Sequence, residues 1–339
     1  MNETSPRLID KDKLDAWLVS TGLKTGDDLK VHPLKGGRSN EMFVLGFDNH
    51  ECVLRRPSGV AWEKAEKGLE REYRIQETLK DTEVPCPTPL AICRDQSVLG
   101  TTFYIMEKVD GFNPAMTFPD AFMADDDVKV QTAVAGLNAI ASLHSVDWQA
   151  CGLTDFGRPA DFHHRQVSRW SKQLKSYAGR DLPELVEVGS WIGSNIPDNW
   201  RPTIMHGDYH PLNVLMANQL PPRISAIVDW ETCTIGDPFL DVVGYLDVWN
   251  DANGALGFPD GDYLLDCYLS QVDFEPDNYR YYQALYYFRQ AVLLEGIYQR
   301  SLLDDSRETQ YGVGDHVDRL VERASKVICS QNPAARCIL

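Results

Sequence analysis

The 339-residue sequence predicts an α+β protein, with strand patterns early in the chain and mainly helical patterns later. Three observations point there. Short runs with strand-like alternation, at 42–47, 51–57 and 102–106, fall early in the chain. Beyond residue 128, small and apolar residues recur at helical spacing. Within that later stretch, short apolar runs at 214–217 and 224–228 are separated by Asn218-Gln219-Leu220-Pro221-Pro222, which has the composition of a turn.

In chain order, a helix is expected after Asp10, with Leu14, Trp17 and Leu18 on one face. Gly36 and Gly37 then sit between two strand patterns, within Leu34-Lys35-Gly36-Gly37-Arg38-Ser39-Asn40. Paired glycines there make either a plain hairpin turn or a loop whose backbone N–H groups can approach phosphate oxygens closely. The run 51–57 is a strand stopped by Pro57, and alternation sends Val53 and Arg55 to one face and Arg56 to the other. Residues 62–80 carry Leu69, Tyr73, Gln76 and Leu79 at helical period. Val84-Pro85-Cys86-Pro87-Thr88-Pro89 ends that helix, because proline removes donors and holds the chain extended. The strand at 102–106 leads into Glu107-Lys108-Val109-Asp110-Gly111, where Asp-Gly suits a turn. Helices follow at 128–146, with His144 as a packed or capping residue, and from Phe162. His163 and His164 are adjacent, whereas two metal ligands on one helix face stand at i and i+4.

The chemistry concentrates in His206-Gly207-Asp208-Tyr209-His210-Pro211-Leu212-Asn213 and Ile227-Val228-Asp229-Trp230-Glu231. A triphosphate with Mg²⁺ needs hard oxygen ligands from more than one segment, and an acceptor hydroxyl needs a carboxylate beside it. Asp208 suits the hydroxyl. Asn213 and Asp229 suit the metal, and the hairpin between them would return both to the same end.

These two segments resemble the catalytic loop and metal-binding Asp of the aminoglycoside phosphotransferase and choline kinase superfamily, small-molecule kinases that share the protein-kinase fold. The resemblance runs from about Val31 to the helices near Arg300. It implies a two-lobed protein-kinase-like architecture, with a small antiparallel-sheet lobe crossed by one helix (1–108) and a larger helical lobe (109–339). ATP and Mg²⁺ would lie between them. Gly36, Gly37, Ser39 and Asn40 would then form the phosphate loop, although the pattern is not the G-x-G-x-x-G of protein kinases. Arg55 would take the place of the usual third-strand Lys on the phosphates, paired with Glu72 on the next helix; Glu70 and Glu77 are the competitors. The main chain of Glu107 and Val109 would hold the adenine edge, and Asp241 would brace the catalytic loop, with Asp237 as a second support. The pattern Arg165-Gln166-x-x-Arg169-Trp170, with 287–298, is similar to a narrower branch that includes the kinase domain found alongside acyl-CoA dehydrogenase domains.

Composition narrows the partners. A net charge of −17 argues against nonspecific binding to nucleic acid or an anionic membrane. No run of about 18 apolar residues could span a bilayer, and the charged N-terminus lacks an apolar signal core. The eight cysteines show neither Cys-x-x-Cys nor regular spacing, which fits a reducing cytoplasm. The expected partner is a small hydroxylated molecule. Resemblance to the narrower branch implies a hydroxylated acyl compound, and the wider superfamily implies an aminoglycoside, a macrolide, choline or a sugar. Arg165, Arg169, Trp170, Tyr286, Tyr287, Arg289 and Tyr298 are expected on the acceptor side, a set that suits an anionic molecule better than a polyamine. A nucleotide-binding scaffold without transfer is the other class, motivated by Arg55 in place of Lys.

Overall fold

The computed structural model describes residues 9–26, 28–34, 40–58, 62–177, 179–273, 276, 278–302 and 311–330. Gly36, Gly37 and Ser39, expected in the phosphate loop, lie outside them.

Asp10 caps α1 (Lys11–Ser20) by accepting from the Lys13 amide, and Leu14 and Leu18 on one face are buried. Strands β1 (Lys30–Leu34), β2 (Asn40–Phe47) and β3 (His50–Pro57) form an antiparallel meander. At the β2–β3 turn Asp48 and Asn49 have φ of 47° and 60°, the left-handed backbone that a tight two-residue hairpin needs. Helix α2 (Trp62–Leu79) follows, then β4 (Pro89–Cys93), the short α3 (Gln96–Leu99) and β5 (Phe103–Glu107). The sheet order is β1-β2-β3-β5-β4, antiparallel throughout. Strand alternation divides its faces. Leu45, Leu54, Phe103 and Ile105 pack with Leu14 and Leu18 of α1, whereas Val53, Tyr104 and Met106 pack with Leu69 of α2. The small lobe thus carries a long helix on each face, one more than the resemblance implied.

The larger lobe contains α4 (Asp126–Ser145), α5 (Phe162–Ser176), α6 (Pro183–Ser194), β6 (Thr203–Met205), β7 (Val214–Met216), β8 (Ile224–Ile227), β9 (Thr234–Gly236), α7 (Phe239–Asn253), α8 (Gly261–Leu269), α9 (Tyr279–Leu302) and α10 (Tyr311–Cys329). Apolar residues surround α9 on nearly every side, so it runs through the core. Two antiparallel pairs, β6–β9 and β7–β8, carry the polar loops.

A backbone hydrogen bond ties the lobes together, the Ile227 amide donating to Pro85 O at 2.7 Å. Just past the connection, within the larger lobe, Phe112 and Met216 exchange N–H and C=O at 2.9 and 2.8 Å. Gly111 is more than a turn residue, because a Cβ there would stand 2.5 Å from the Met216 carbonyl oxygen.

Candidate active site

After β6 the chain bends at Gly207, where φ is 85° and a Cβ would stand 2.6 Å from the Thr232 carbonyl oxygen. Only glycine fits both demands. Asp241, in the first turn of α7, accepts from the His206 and Gly207 amides at 2.6 and 2.8 Å. Its place at a helix N-terminus suits the carboxylate. His206 Nε2 donates to Val228 O at 3.0 Å, and its Nδ1 accepts the Asp208 amide at 3.3 Å. Burial holds the ring below its ordinary pKa against the pull of Asp241, Asp208 and Asp229, which keeps the neutral tautomer these two bonds require.

Asp208 therefore leaves a braced backbone with its carboxylate 33 % exposed. Asn213 Nδ2 donates to its carbonyl at 2.9 Å and to Oδ2 at 3.3 Å, and Gln290 Nε2 reaches Oδ1 at 3.5 Å. His210 Nε2 stands 3.4 Å from Oδ2. Burial works to raise the Asp208 pKa. The hydrogen bond and charge of His210, with Arg289 and His206, outweigh it and hold the carboxyl well below the usual carboxylate range.

The β7–β8 hairpin pairs Val214 with Ile227, and the Val228 amide donates to Asn213 O at 2.9 Å, so Asn213 and Asp229 meet at one end. Asp229 has φ 67° and ψ 61°, a left-handed conformation costly for a non-glycine residue. Its Oδ1 accepts from Arg55 Nη2 at 3.0 Å, while Arg55 Nε donates to Glu72 Oε2 at 3.0 Å. Arg55 thus bridges the small-lobe helix and the large-lobe hairpin. Burial pushes the Glu72 carboxyl up, Arg55 pulls it down, and Asp229 and Glu231 add to the rise.

These residues fit a magnesium ion with its nucleotide. The Asn213 amide nitrogen is engaged by Asp208, which leaves Oδ1 as the atom able to hold a cation. Asp229 keeps its side chain 38 % exposed. Among the described residues no three His, Cys, Asp or Glu side chains gather as an all-protein cage. One carboxylate, one carboxamide and substrate phosphates are instead the kind of oxygen set Mg²⁺ takes.

The model of the phosphotransferase enzyme family (APH) matches residues 30–264. The chain belongs to this family. It is similar to acyl-CoA dehydrogenase family member 10 of Mus musculus, 31 % identical over 315 residues that cover 87 % of the chain and 29 % of that protein. The chain thus spans less than a third of the length of that relative. A Ralstonia eutropha crystal structure, named for a candidate aminoglycoside phosphotransferase, superposes with a TM-score of 0.81 at 28 % identity, covering 95 % of this chain and 98 % of that one. The ADP-bound aminoglycoside phosphotransferase APH(2'')-Ib, 17 % identical over 94 % of this chain and 99 % of that one, shares the fold at a TM-score of 0.55.

Within this phosphotransferase fold the structure gathers Asp208, Asn213, Asp229, Arg55 and Glu72 at the lobe junction. Glu70 and Glu77, the competitors of Glu72, pair instead with Arg94 and Lys80. Asn40 opens β2, two residues before Met42, whose sulfur lies 3.6 Å from Arg55 Nη1. The Glu107 amide donates to Thr88 O at 2.8 Å, so only its carbonyl could serve an adenine edge; Val109 follows on the same connection. Asp237, expected as a second support of the catalytic loop, instead accepts from His163 of α5, Tyr282 of α9 and the Phe239 amide that opens α7.

Three of the residues expected on the acceptor side have structural duties. Arg165 donates to the Arg158 and Ala160 carbonyls, Tyr287 donates to Asp247 at 2.7 Å, and the Tyr298 ring lies under Arg180. Sequence reasoning missed Gln290 and His210 as neighbours of the Asp208 carboxylate. Gln290 carries no sequence signal, since it lies 82 residues from Asp208; His210 was visible as the loop's second histidine.

Proposed function

We propose that this phosphotransferase moves the γ-phosphoryl group of ATP to a hydroxyl of a small molecule. The convergence of Asp208, Asn213 and Asp229 at one end of the β7–β8 hairpin, facing the Arg55–Glu72 pair, carries the reading. Asp208 would orient the acceptor hydroxyl and take its proton as the oxygen attacks phosphorus. Positioning matters more than base strength, because phosphoryl transfer passes through a loose transition state. Arg55 would fork onto phosphate oxygens when nucleotide enters, while Glu72 keeps it aimed. Asn213 and Asp229 would hold Mg²⁺, which supplies neutralising charge to the phosphates. The main chain of Glu107 and Val109 would meet the adenine edge, and Gly36, Gly37, Ser39 and Asn40 the phosphates. The ADP-bound state of one fold neighbour supports a nucleotide site in this fold.

The acceptor we favour is a hydroxylated acyl compound, supported by the likeness to an acyl-CoA dehydrogenase family member. The naming of the Ralstonia eutropha structure favours a second reading, an aminoglycoside acceptor. Calorimetric titration tests the metal assignment. Asp229→Ala should abolish Mg²⁺-dependent ATP binding while circular dichroism stays unchanged. Wild-type Mg-ATP affinity in that variant would remove Asp229 from the site.

A further inference from the structure

On the helical side of Asp208, two arginines share one aromatic ring. The guanidinium carbon of Arg169, on α5, lies 4.8 Å from the Trp170 ring centroid, and that of Arg289, on α9, lies 5.6 Å from it. Arg289 is 7 % exposed and donates to the carbonyl of Gly207, the residue before Asp208. Its Nε is buried with no hydrogen-bond partner among the described residues. The next residue, Gln290, reaches the Asp208 carboxylate itself at 3.5 Å.

Neither arginine has a carboxylate in ion-pair contact among the described residues. Elsewhere in the helical lobe Arg180 is neutralised by Glu295 and Asp318 and Arg323 by Asp247 and Asp251, and the buried Arg280 spends its N–H groups on the Val327 and Ile328 carbonyls. A chain with 50 acidic against 33 basic residues has carboxylates to spare, yet Arg169 has none in contact among the described residues, and Asp208 acts on Arg289 through its charge without an ion-pair contact. Burial and the like charges of Arg289 and Arg165 pull the Arg169 guanidinium below its ordinary pKa. An oxyanion placed against it would remove that repulsion and receive a forked pair of N–H donors.

We propose that Arg169, backed by Arg289, is an acceptor-side anion subsite that holds a carboxylate or phosphate of the molecule whose hydroxyl is phosphorylated. This deepens the phosphotransferase reading and rests on it. Arg169 is exposed and Arg289 buried, so Arg169 meets the anion while Arg289 adds potential from behind and fixes the loop. An aminoglycoside, cationic throughout, would be repelled at the same place.

The test compares kcat/KM at saturating Mg-ATP for 3-hydroxybutyrate, glycerol 3-phosphate and the uncharged butane-1,3-diol, in wild type, Arg169→Met and Arg169→Lys. Wild type should prefer an anionic acceptor to the diol, and whichever anion it prefers identifies carboxylate or phosphate as the group held. Arg169→Met should cut that preference by about tenfold or more, through acceptor KM rather than kcat, the scale of one charge-assisted contact. Arg169→Lys should retain part of it, because the charge remains and the fork is lost. Equal treatment of anion and diol by wild type, or an unchanged preference in Arg169→Met at wild-type Mg-ATP affinity, overturns the proposal. Tryptophan fluorescence titration with the same two anions separates the two readings. Anion binding that Arg169→Met loses, in a protein that phosphorylates no acceptor, would keep the subsite and sink the phosphotransferase reading.

Discussion

Gly207 and Asp208 are neighbours with opposite requirements, one set by backbone and the other by charge. At Gly207 a methyl group would both enter the left-handed region and stand 2.6 Å from a carbonyl oxygen. Gly207→Ala should therefore lose about 1–3 kcal/mol of stability, the cost of such strain, together with most turnover, read by thermal melting and by assay. A stable and fully active variant would show that the bend does not position Asp208. At Asp208 the carboxyl is held below the usual carboxylate range by His210, Arg289 and His206, against burial. A depressed pKa means that no proton is taken up on Asp208 between roughly pH 5 and 8, the range in which catalytic groups usually titrate. Any acid limb of kcat/KM in that window belongs to another group. The residual activity of Asp208→Asn should then show the same midpoint, and a limb present in wild type but lost in Asp208→Asn would contradict this.

At the scale of the element, β3 separates two adjacent arginines by the alternation of a strand. Arg55 faces α2 and the hairpin, while Arg56 faces the other way, paired with Glu41 at 2.8 Å and lying 5.2 Å from the Phe43 ring centroid. Arg55→Ala should weaken Mg-ATP binding by about tenfold or more, as loss of a charge-assisted contact does. Arg56→Ala should leave that affinity intact and lower stability by about 1–3 kcal/mol, because its ion pair with Glu41 is largely buried. Calorimetry and melting of the two variants check the contrast, and equal nucleotide effects would show that the strand face does not decide the role. This division was legible in the sequence because a period of two is local. So was the hairpin that joins Asn213 to Asp229, where two apolar runs flank a turn-rich stretch. Strand β4 was not read, since Pro89 and the prolines before it mask a strand whose partner is β5. The proximity of Gln290 to Asp208 was not legible either, because the long-range packing of α9 sets it.

Taken as a whole, the molecule joins its lobes by the backbone bond from Ile227 to Pro85 and by the Arg55 bridge. The two-lobed plan was legible because strand patterns cluster early and helical ones late, and because one loop carried a family signature. Which residues line the acceptor side was legible only to a limited extent. Arg165, Tyr287 and Tyr298 turn to structural partners, and Arg169, Trp170 and Arg289 come together through the packing of α5 on α9. On the proposed reading, joining small-lobe and large-lobe residues in one site would serve transfer, since a scaffold that only held nucleotide would have no use for Asp208. The most direct test is phosphorus-31 NMR of the protein with Mg-ATP and a panel of hydroxylated acids, diols and aminoglycosides. The γ-phosphate signal should decline as a phosphate monoester of at least one acceptor appears. Asp208→Asn should slow that exchange by on the order of 10² or more while binding Mg-ATP as wild type does. Bound Mg-ATP that yields no monoester with any acceptor, or an Asp208→Asn protein that transfers at the wild-type rate, would contradict that reading.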